Sequence, residues 1–488
     1  MKIAYKIYAV FLIIIALLYG CSSSDAPPAA EETRPQDSRT FTISAALLDP
    51  AQFPALTNET VQTDRWVGQL GGSAYKIEVP KTTWNGMLVM YAHGYVGTVP
   101  ALSITVPSTM RRYLLDNGYA WAASSYDKNW YDVRSGVEAT NRLALNFNSI
   151  ASANGRSLAA PSKIYIVGHS MGGHVAAAAV DDENYTYANY KVRYNGAVPM
   201  CGVVGDTELF NTFAAAQLAA QKLAGFDAAT FPVTNWSLIN TNIKSALFTS
   251  FPAAPFYQAP VVTTVLGDKF KGVMMNLSGG SRPMFDQGFA GGLGVGYMGV
   301  VWDTFGADGT VNGILNKQGQ DTNSFIYQFD ASPNLTAEEY AFNVSILRGT
   351  AATDANRLRS DGLRWIPKVN GNFSVPVVTL HTLGDMYVYF RMEQLFRARA
   401  DAGTGKNWLV QRAIRGISHC DFTVAETVAA VDAMLKWEQG GPKPAGDDVL
   451  TAATVSASNY GCNFTNNTTG PDDAATTAAI RASLPACQ

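Results

Sequence analysis

The stretch Gly168-His169-Ser170-Met171-Gly172-Gly173 follows directly on the β-branched run Lys163-Ile164-Tyr165-Ile166-Val167 and precedes an Ala-rich segment over 175–180. A strand that must turn at once into a helix, with a serine held between glycines, leaves the chain few ways to fold. At such a turn the serine is forced into a strained conformation that exposes its hydroxyl. A Cβ at Gly168 or Gly172 would collide with the neighbouring strand or helix. The helix that follows aims its unpaired N–H groups and its positive dipole end at the same spot. A G-x-S-x-G match arises easily by chance in a chain with 43 glycines, but the strand before it, the helix after it and the Gly172-Gly173 pair do not. Ser170 is therefore read as a nucleophile.

Apolar runs at 87–92, 119–124, 163–167, 193–200, 375–380 and 408–413 alternate with helical stretches at 108–117, 137–147, 175–180, 389–400 and 424–438. This alternation predicts an α/β class, with a mostly parallel sheet covered by helices on both faces. Segments 41–48 and 73–79 are expected as antiparallel strands at its edge. The gap over 203–373 breaks the alternation. It opens on an Ala/Gln-rich helix at 209–224 and carries aromatic and Gly-rich patches. An insertion of that size, placed after the strand that follows the nucleophile helix, is expected to form a cap over the site. The core is then expected over 40–202 and 374–440, with a C-terminal extension over 441–488.

Lys2 and Lys6 precede the apolar run 7–18, which ends in Leu18-Tyr19-Gly20-Cys21 and a Ser-rich stretch. Residues 1–20 resemble a bacterial lipoprotein signal. The resemblance implies a lipidated Cys21, a flexible tether over 21–39 and anchoring in the cell envelope, at the outer membrane or cell surface. Without the lipid the chain is expected to be secreted or periplasmic. Either way the remaining cysteines, Cys201, Cys420, Cys462 and Cys487, meet an oxidising space and allow three pairings. A local Cys462–Cys487 bond in the Gly/Asn/Thr-rich C-terminal segment would add about 3 kcal/mol. No Cys/His cluster has ligand spacing, so neither a metal nor another cofactor is expected. The net charge of −3 gives no basic footprint for nucleic acid.

A serine hydroxyl needs a base to take its proton and a third group to orient that base. The chain has five histidines. His93 and His169 sit in the strand-end motifs themselves, His174 points back along the nucleophile helix, and His381 ends a strand. His419, in the loop Arg415-Gly416-Ile417-Ser418-His419-Cys420-Asp421-Phe422, is placed to act as the base. Asp385, after the strand over 375–380 and the turn residue Gly384, is the preferred acid, ahead of Asp206 and Asp421.

The order Ser170…Asp385…His419 resembles that of the α/β-hydrolases, a likeness that runs from about residue 70 to 440. It implies the α/β-hydrolase fold with a large cap insertion. By that analogy His93-Gly94-Tyr95 resembles the family's oxyanion element, and the N–H groups of Met171 and of Tyr95 (or Gly94) would hold the oxyanion. The segment 118–126 and the His419-Cys420 pair resemble large secreted hydrolases of the tannase and feruloyl-esterase kind. Those enzymes bond a Cys before the nucleophile to the Cys after the catalytic His. Here His169 takes the first of these places, and Cys201 is expected to substitute as the partner of Cys420.

The resemblance implies an enzyme acting on a small-molecule ester, with an aromatic or medium-chain acyl group suggested by the cap's aromatics (251–257, 285–289, Tyr297, Trp302, Phe305). The alternative is a peptidase or amidase of the same fold, with Asp330, Glu338 or Glu339 receiving a substrate ammonium. A third reading, a fold kept only for binding, fits an intact Ser/Asp/His set poorly. Arg282 is read as a structural arginine before a ligand for a substrate carboxylate.

Overall fold

The computed structural model describes residues 34, 36–233, 236–251, 261–291, 314–485 and 487. The expected signal, Cys21 and most of the tether lie outside them. No helix among the described residues is long and apolar enough to cross a membrane.

The strands in chain order are β1 (Thr63–Leu70), β2 (Ser73–Pro80), β3 (Met87–Ala92), β4 (Ala120–Ser124), β5 (Lys163–His169), β6 (Gly196–Met200), the short β7 (Phe248–Ser250) and β8 (Val262–Thr263), then β9 (Val377–Thr382) and β10 (Leu409–Ile414). Eight of them form one sheet in the order β1-β2-β4-β3-β5-β6-β9-β10. From β4 to β10 every pairing is parallel, while β2 runs antiparallel to both β1 and β4. The helices are α1 (Arg111–Asp116), α2 (Val133–Ala153), α3 (Met171–Val180), α4 (Asp182–Tyr187), α5 (Glu208–Leu223), α6 (Trp236–Leu247), α7 (Val265–Leu277), α8 (Phe285–Gly291), α9 (Ala337–Ser345), α10 (Arg391–Ala402), α11 (Val424–Glu438), α12 (Ala452–Val455) and α13 (Ala475–Ser483).

Alternate residues of β3 separate the two layers of core. Leu88 and Met90 belong to one layer, with Val137 and Phe147 of α2, Val175 of α3 and Phe396 of α10, while Val89 and Tyr91 belong to the other, with Leu114 of α1 and Val431 and Met434 of α11. Strands buried on both faces read as continuous apolar runs, which is why β3, β5 and β6 are legible in sequence. Each fully buried Leu, Val or Phe contributes about 1.5–3 kcal/mol against exposure.

The expected edge strand at 41–48 is not one. Ala45–Leu48 is a 3-10 turn ahead of Asp49-Pro50, and Thr42 makes only an isolated bridge to Ala101. The edge is β1, joined to β2 through Gly71-Gly72 with Leu70 opposite Ser73. Gly71 has φ 61, the conformation a two-residue hairpin turn demands.

Between β6 and β9 lie α5 to α9, the β7–β8 hairpin and long irregular stretches. The return to β9 is tied down by carboxylates: Asp181 accepts from the N–H groups of Asn370 and Asn372, and Asp206 from that of Val369.

Candidate active site

β5 ends at His169 and α3 begins at Met171, so Ser170 alone makes the corner. Its φ of 59° and ψ of −124° suit glycine and strain any other residue. The corner is as tight as the glycine spacing requires: a Cβ on Gly172 would lie 2.0 Å from the Ala92 carbonyl oxygen. At Gly94 the ideal Cβ would sit 3.3 Å from that of Ser170, so the loop after β3 passes directly against the serine. Because the strain is local, Ser170→Gly is expected to raise stability by about 1 kcal/mol while Ser170→Ala leaves it nearly unchanged. Paired urea melts of the two variants check this, and equal midpoints would refute the strain.

Asp385 follows β9 and is fully buried. Its Oδ1 accepts from the backbone N–H groups of Tyr387 at 2.8 Å and Val388 at 3.0 Å, which leaves Oδ2 for His419 Nδ1 at 2.7 Å. Burial pushes the carboxyl up, but the charge and hydrogen bond of His419, with His381 behind, outweigh it and hold Asp385 below the usual carboxylate range. With Nδ1 donating to Asp385, Nε2 of His419 is the accepting nitrogen, and it lies 2.7 Å from Ser170 Oγ. Ser170, His419 and Asp385 thus form one hydrogen-bonded chain. The Tyr387 ring stacks on His419 with centroids 5.6 Å apart.

The other histidines are engaged elsewhere. His93 stacks on Tyr126 and donates from Nδ1 to the Gly94 carbonyl at 2.7 Å. His169 meets the Tyr91 hydroxyl at 3.2 Å; burial, then the charge of His419, pushes it down to about 4. His174 sits between the Tyr131 hydroxyl and the Pro367 carbonyl, and burial holds it to about 4. His381 is buried against Glu393. Of the rival acids, Asp206 pairs with Arg399 at 2.7 Å, while Asp421 faces Arg481 of α13 at 3.7 Å and is pushed up to about 6 by burial.

Cys201, at the end of β6, is bonded to Cys420, and Cys462 to Cys487. The first bond anchors the residue next to His419. Arg481 braces the same loop from the other side, donating to the Asp421 carbonyl and to Glu426 Oε2 at 2.8 Å. Cys201, His419 and Cys420 form the tight group of metal-ligating residue types among the described residues. Its two sulfurs are joined in the disulfide, which takes both thiolates out of play as ligands.

Ser170 and His419 open onto a cavity of about 220 Å³ whose walls include Tyr95, Tyr131, Leu209, Phe210, Phe213 and Tyr387. Among the described residues the aromatic wall comes from α5 and from the loops after β3, β4 and β9. Phe285 and Phe289 are buried in the core, Phe251 packs against it, and Tyr257, Tyr297, Trp302 and Phe305 lie outside the described residues. The missed signal was the aromatic pair at i and i+3 in α5, masked by the alanines around it. Arg282 is buried and donates to the carbonyls of Leu383 at 2.7 Å and Gly280 at 2.8 Å, a structural arginine pushed down to about 9 by burial. Glu339 caps α9, Glu338 pairs with Lys269 and Asp330 accepts from the Ser332 N–H, so all three carboxylates serve local structure.

The strand order with its antiparallel β2, the strand–serine–helix corner after β5, the acid after β9 and the histidine after β10 define the α/β-hydrolase fold. Among curated proteins, the o-phthalyl amidase of Xanthobacter agilis is 21% identical over 476 residues, covering 84% of this chain and 95% of the amidase. Feruloyl esterase B from Aspergillus oryzae superposes with a TM-score of 0.42 at 14% identity, over 85% of this chain and 88% of the esterase. The acylaminoacyl peptidase of Pyrococcus horikoshii gives a TM-score of 0.36 at 10% identity, over 80% of this chain and 44% of the peptidase. No protein-family profile matches the chain.

Proposed function

We propose that the protein is a serine hydrolase that cleaves carboxylic esters through an acyl-enzyme on Ser170. The observation that carries this reading is the hydrogen-bonded chain Ser170–His419–Asp385, with both links at 2.7 Å, at the mouth of an aromatic cavity. Ser170 Oγ attacks the ester carbonyl as His419 Nε2 takes its proton, and Asp385 stabilises the imidazolium. The oxyanion is received by the N–H of Met171 at the start of α3 and that of Tyr95 or Gly94, each such donor contributing about 3 kcal/mol in the transition state. His419 then returns the proton to the leaving alcohol, and water, activated by the same histidine, releases the acid.

The cavity lining favours an uncharged aromatic or medium-chain acyl group. Among the described residues no carboxylate lines it, which disfavours an aminopeptidase that must seat an ammonium. Cleavage of an amide is the second reading, favoured by the likeness to the o-phthalyl amidase. We place the protein outside the cytoplasm, anchored to the envelope through a lipid on Cys21. Purified protein assayed on p-nitrophenyl esters of graded chain length, on aryl esters and on the matching anilides separates these readings. Ester turnover exceeding anilide turnover is expected. Preferential cleavage of anilides would make the protein an amidase, and cleavage of neither would remove the hydrolase reading.

A further inference from the structure

Behind the acid of the site lies a second imidazole–carboxylate pair. His381, on β9 four positions before Asp385, is fully buried, and its Nδ1 is 3.4 Å from Glu393 Oε1 in the first turn of α10. Nε2 lies 2.8 Å from the Val388 carbonyl. A carbonyl only accepts, so Nε2 carries a hydrogen. That turns Nδ1 toward a carboxylate oxygen, where two buried lone pairs would face each other unless a proton sits between them. The other oxygen of Glu393 accepts from Thr379 Oγ1 at 2.6 Å and Gln411 Nε2 at 2.5 Å, the surroundings of an ionised carboxylate. The peptide held by His381 is the one that matters next, because Val388 donates its N–H to Asp385 Oδ1 at 3.0 Å.

We propose that His381, kept cationic by Glu393, is a positioning residue for Asp385: it fixes the 385–388 turn through Val388 and sets a positive charge behind the carboxylate that His419 faces. The proposal rests on the catalytic reading of Ser170, His419 and Asp385. Burial alone would pull His381 down, but the adjacent carboxylate of Glu393, followed by the charge of Asp385, outweighs it and raises it above the ordinary value. The ionisable groups around Asp385 are His381 on its own strand, His419 from its loop, Arg282 from the segment before α8 and Tyr389 before α10.

His381→Gln keeps an N–H for the Val388 carbonyl and removes the charge. Glu393→Gln keeps the shape and removes the negative charge that holds His381 cationic. Each is expected to lower kcat on an ester by about tenfold or more with KM within about twofold. Losing the positive charge moves the acid limb of kcat/KM to higher pH in His381→Gln, and by less in Glu393→Gln, which removes the neighbouring negative charge as well. In protein labelled with nitrogen-15 histidine, His381 is expected to be doubly protonated at neutral pH, and the His419 titration to move upward in His381→Gln. A singly protonated His381 in the wild type, or an unmoved His419 titration in folded His381→Gln, overturns the proposal. These magnetic-resonance results decide it even if the wild type proves inert, which is instead the failure of the hydrolase reading.

Discussion

Ser170→Ala is expected to lower kcat/KM on an ester by about 10⁵-fold, and adding His419→Ala to it is expected to cost almost nothing more. The two side chains act as one unit: the proton that His419 Nε2 accepts is the one that makes Ser170 Oγ nucleophilic, across a contact of 2.7 Å. Once either is gone, the oxyanion donors and the cavity remain, and these supply the residual rate of about 10³-fold over water. Asp385→Asn is expected to cost about 10⁴-fold, because an amide nitrogen turned toward Nδ1 favours the wrong tautomer of His419. Steady-state kinetics on the single and double variants check this. Losses that add would mean that Ser170 and His419 do not share a step.

Removing the Cys201–Cys420 bond as a double alanine variant is expected to lower the unfolding free energy by about 5 kcal/mol, the loop entropy that the bond removes. It closes a separation of 219 residues, against 25 for Cys462–Cys487, whose removal is expected to cost about 3 kcal/mol. The functional effect differs more than the energetic one. Cys201 and Cys420 both have left-handed backbone, with φ of 44° and 55°, a strain that the bond restrains. Cutting it lets Cys420 relax, and His419 moves with its neighbour. A loss of about tenfold or more in kcat is expected in the Cys201/Cys420 variant and little change in the Cys462/Cys487 variant. Denaturant melts and ester kinetics on both variants check this, and equal kcat in the two would show that the bond does not position the histidine.

What could be read from the sequence follows from how local each signal is. The corner at Ser170 was legible because strand, glycines and helix are contiguous and each demands the next. β3, β5, β6 and α11 were legible because their burial leaves unbroken apolar runs or helical periodicity. His419 was found by eliminating histidines whose local positions committed them elsewhere. Of the edge hairpin, β2 matches the strand expected over 73–79, while β1, with Asp64, Arg65 and Gly68 among its residues, reads as polar and half-exposed and carries no strand signal. The 41–48 segment misled because its apolar residues cover a 3-10 turn. The cavity wall was missed because Phe210 and Phe213 become a surface only when α5 folds over the corner. The His381–Glu393 pair and the Arg481 brace join residues 12 and 60 positions apart, and no periodicity announces such contacts.

The most direct test is covalent labelling with a fluorophosphonate, which reacts only with a serine whose proton can be taken by a neighbouring base. Intact-mass and peptide mapping are expected to find one adduct, on Ser170, in the wild type. Labelling is expected to fall by about 10³-fold or more in His419→Ala. An unlabelled wild-type protein, an adduct on another serine, or labelling indifferent to His419 would contradict the assignment of Ser170 as a nucleophile activated by His419.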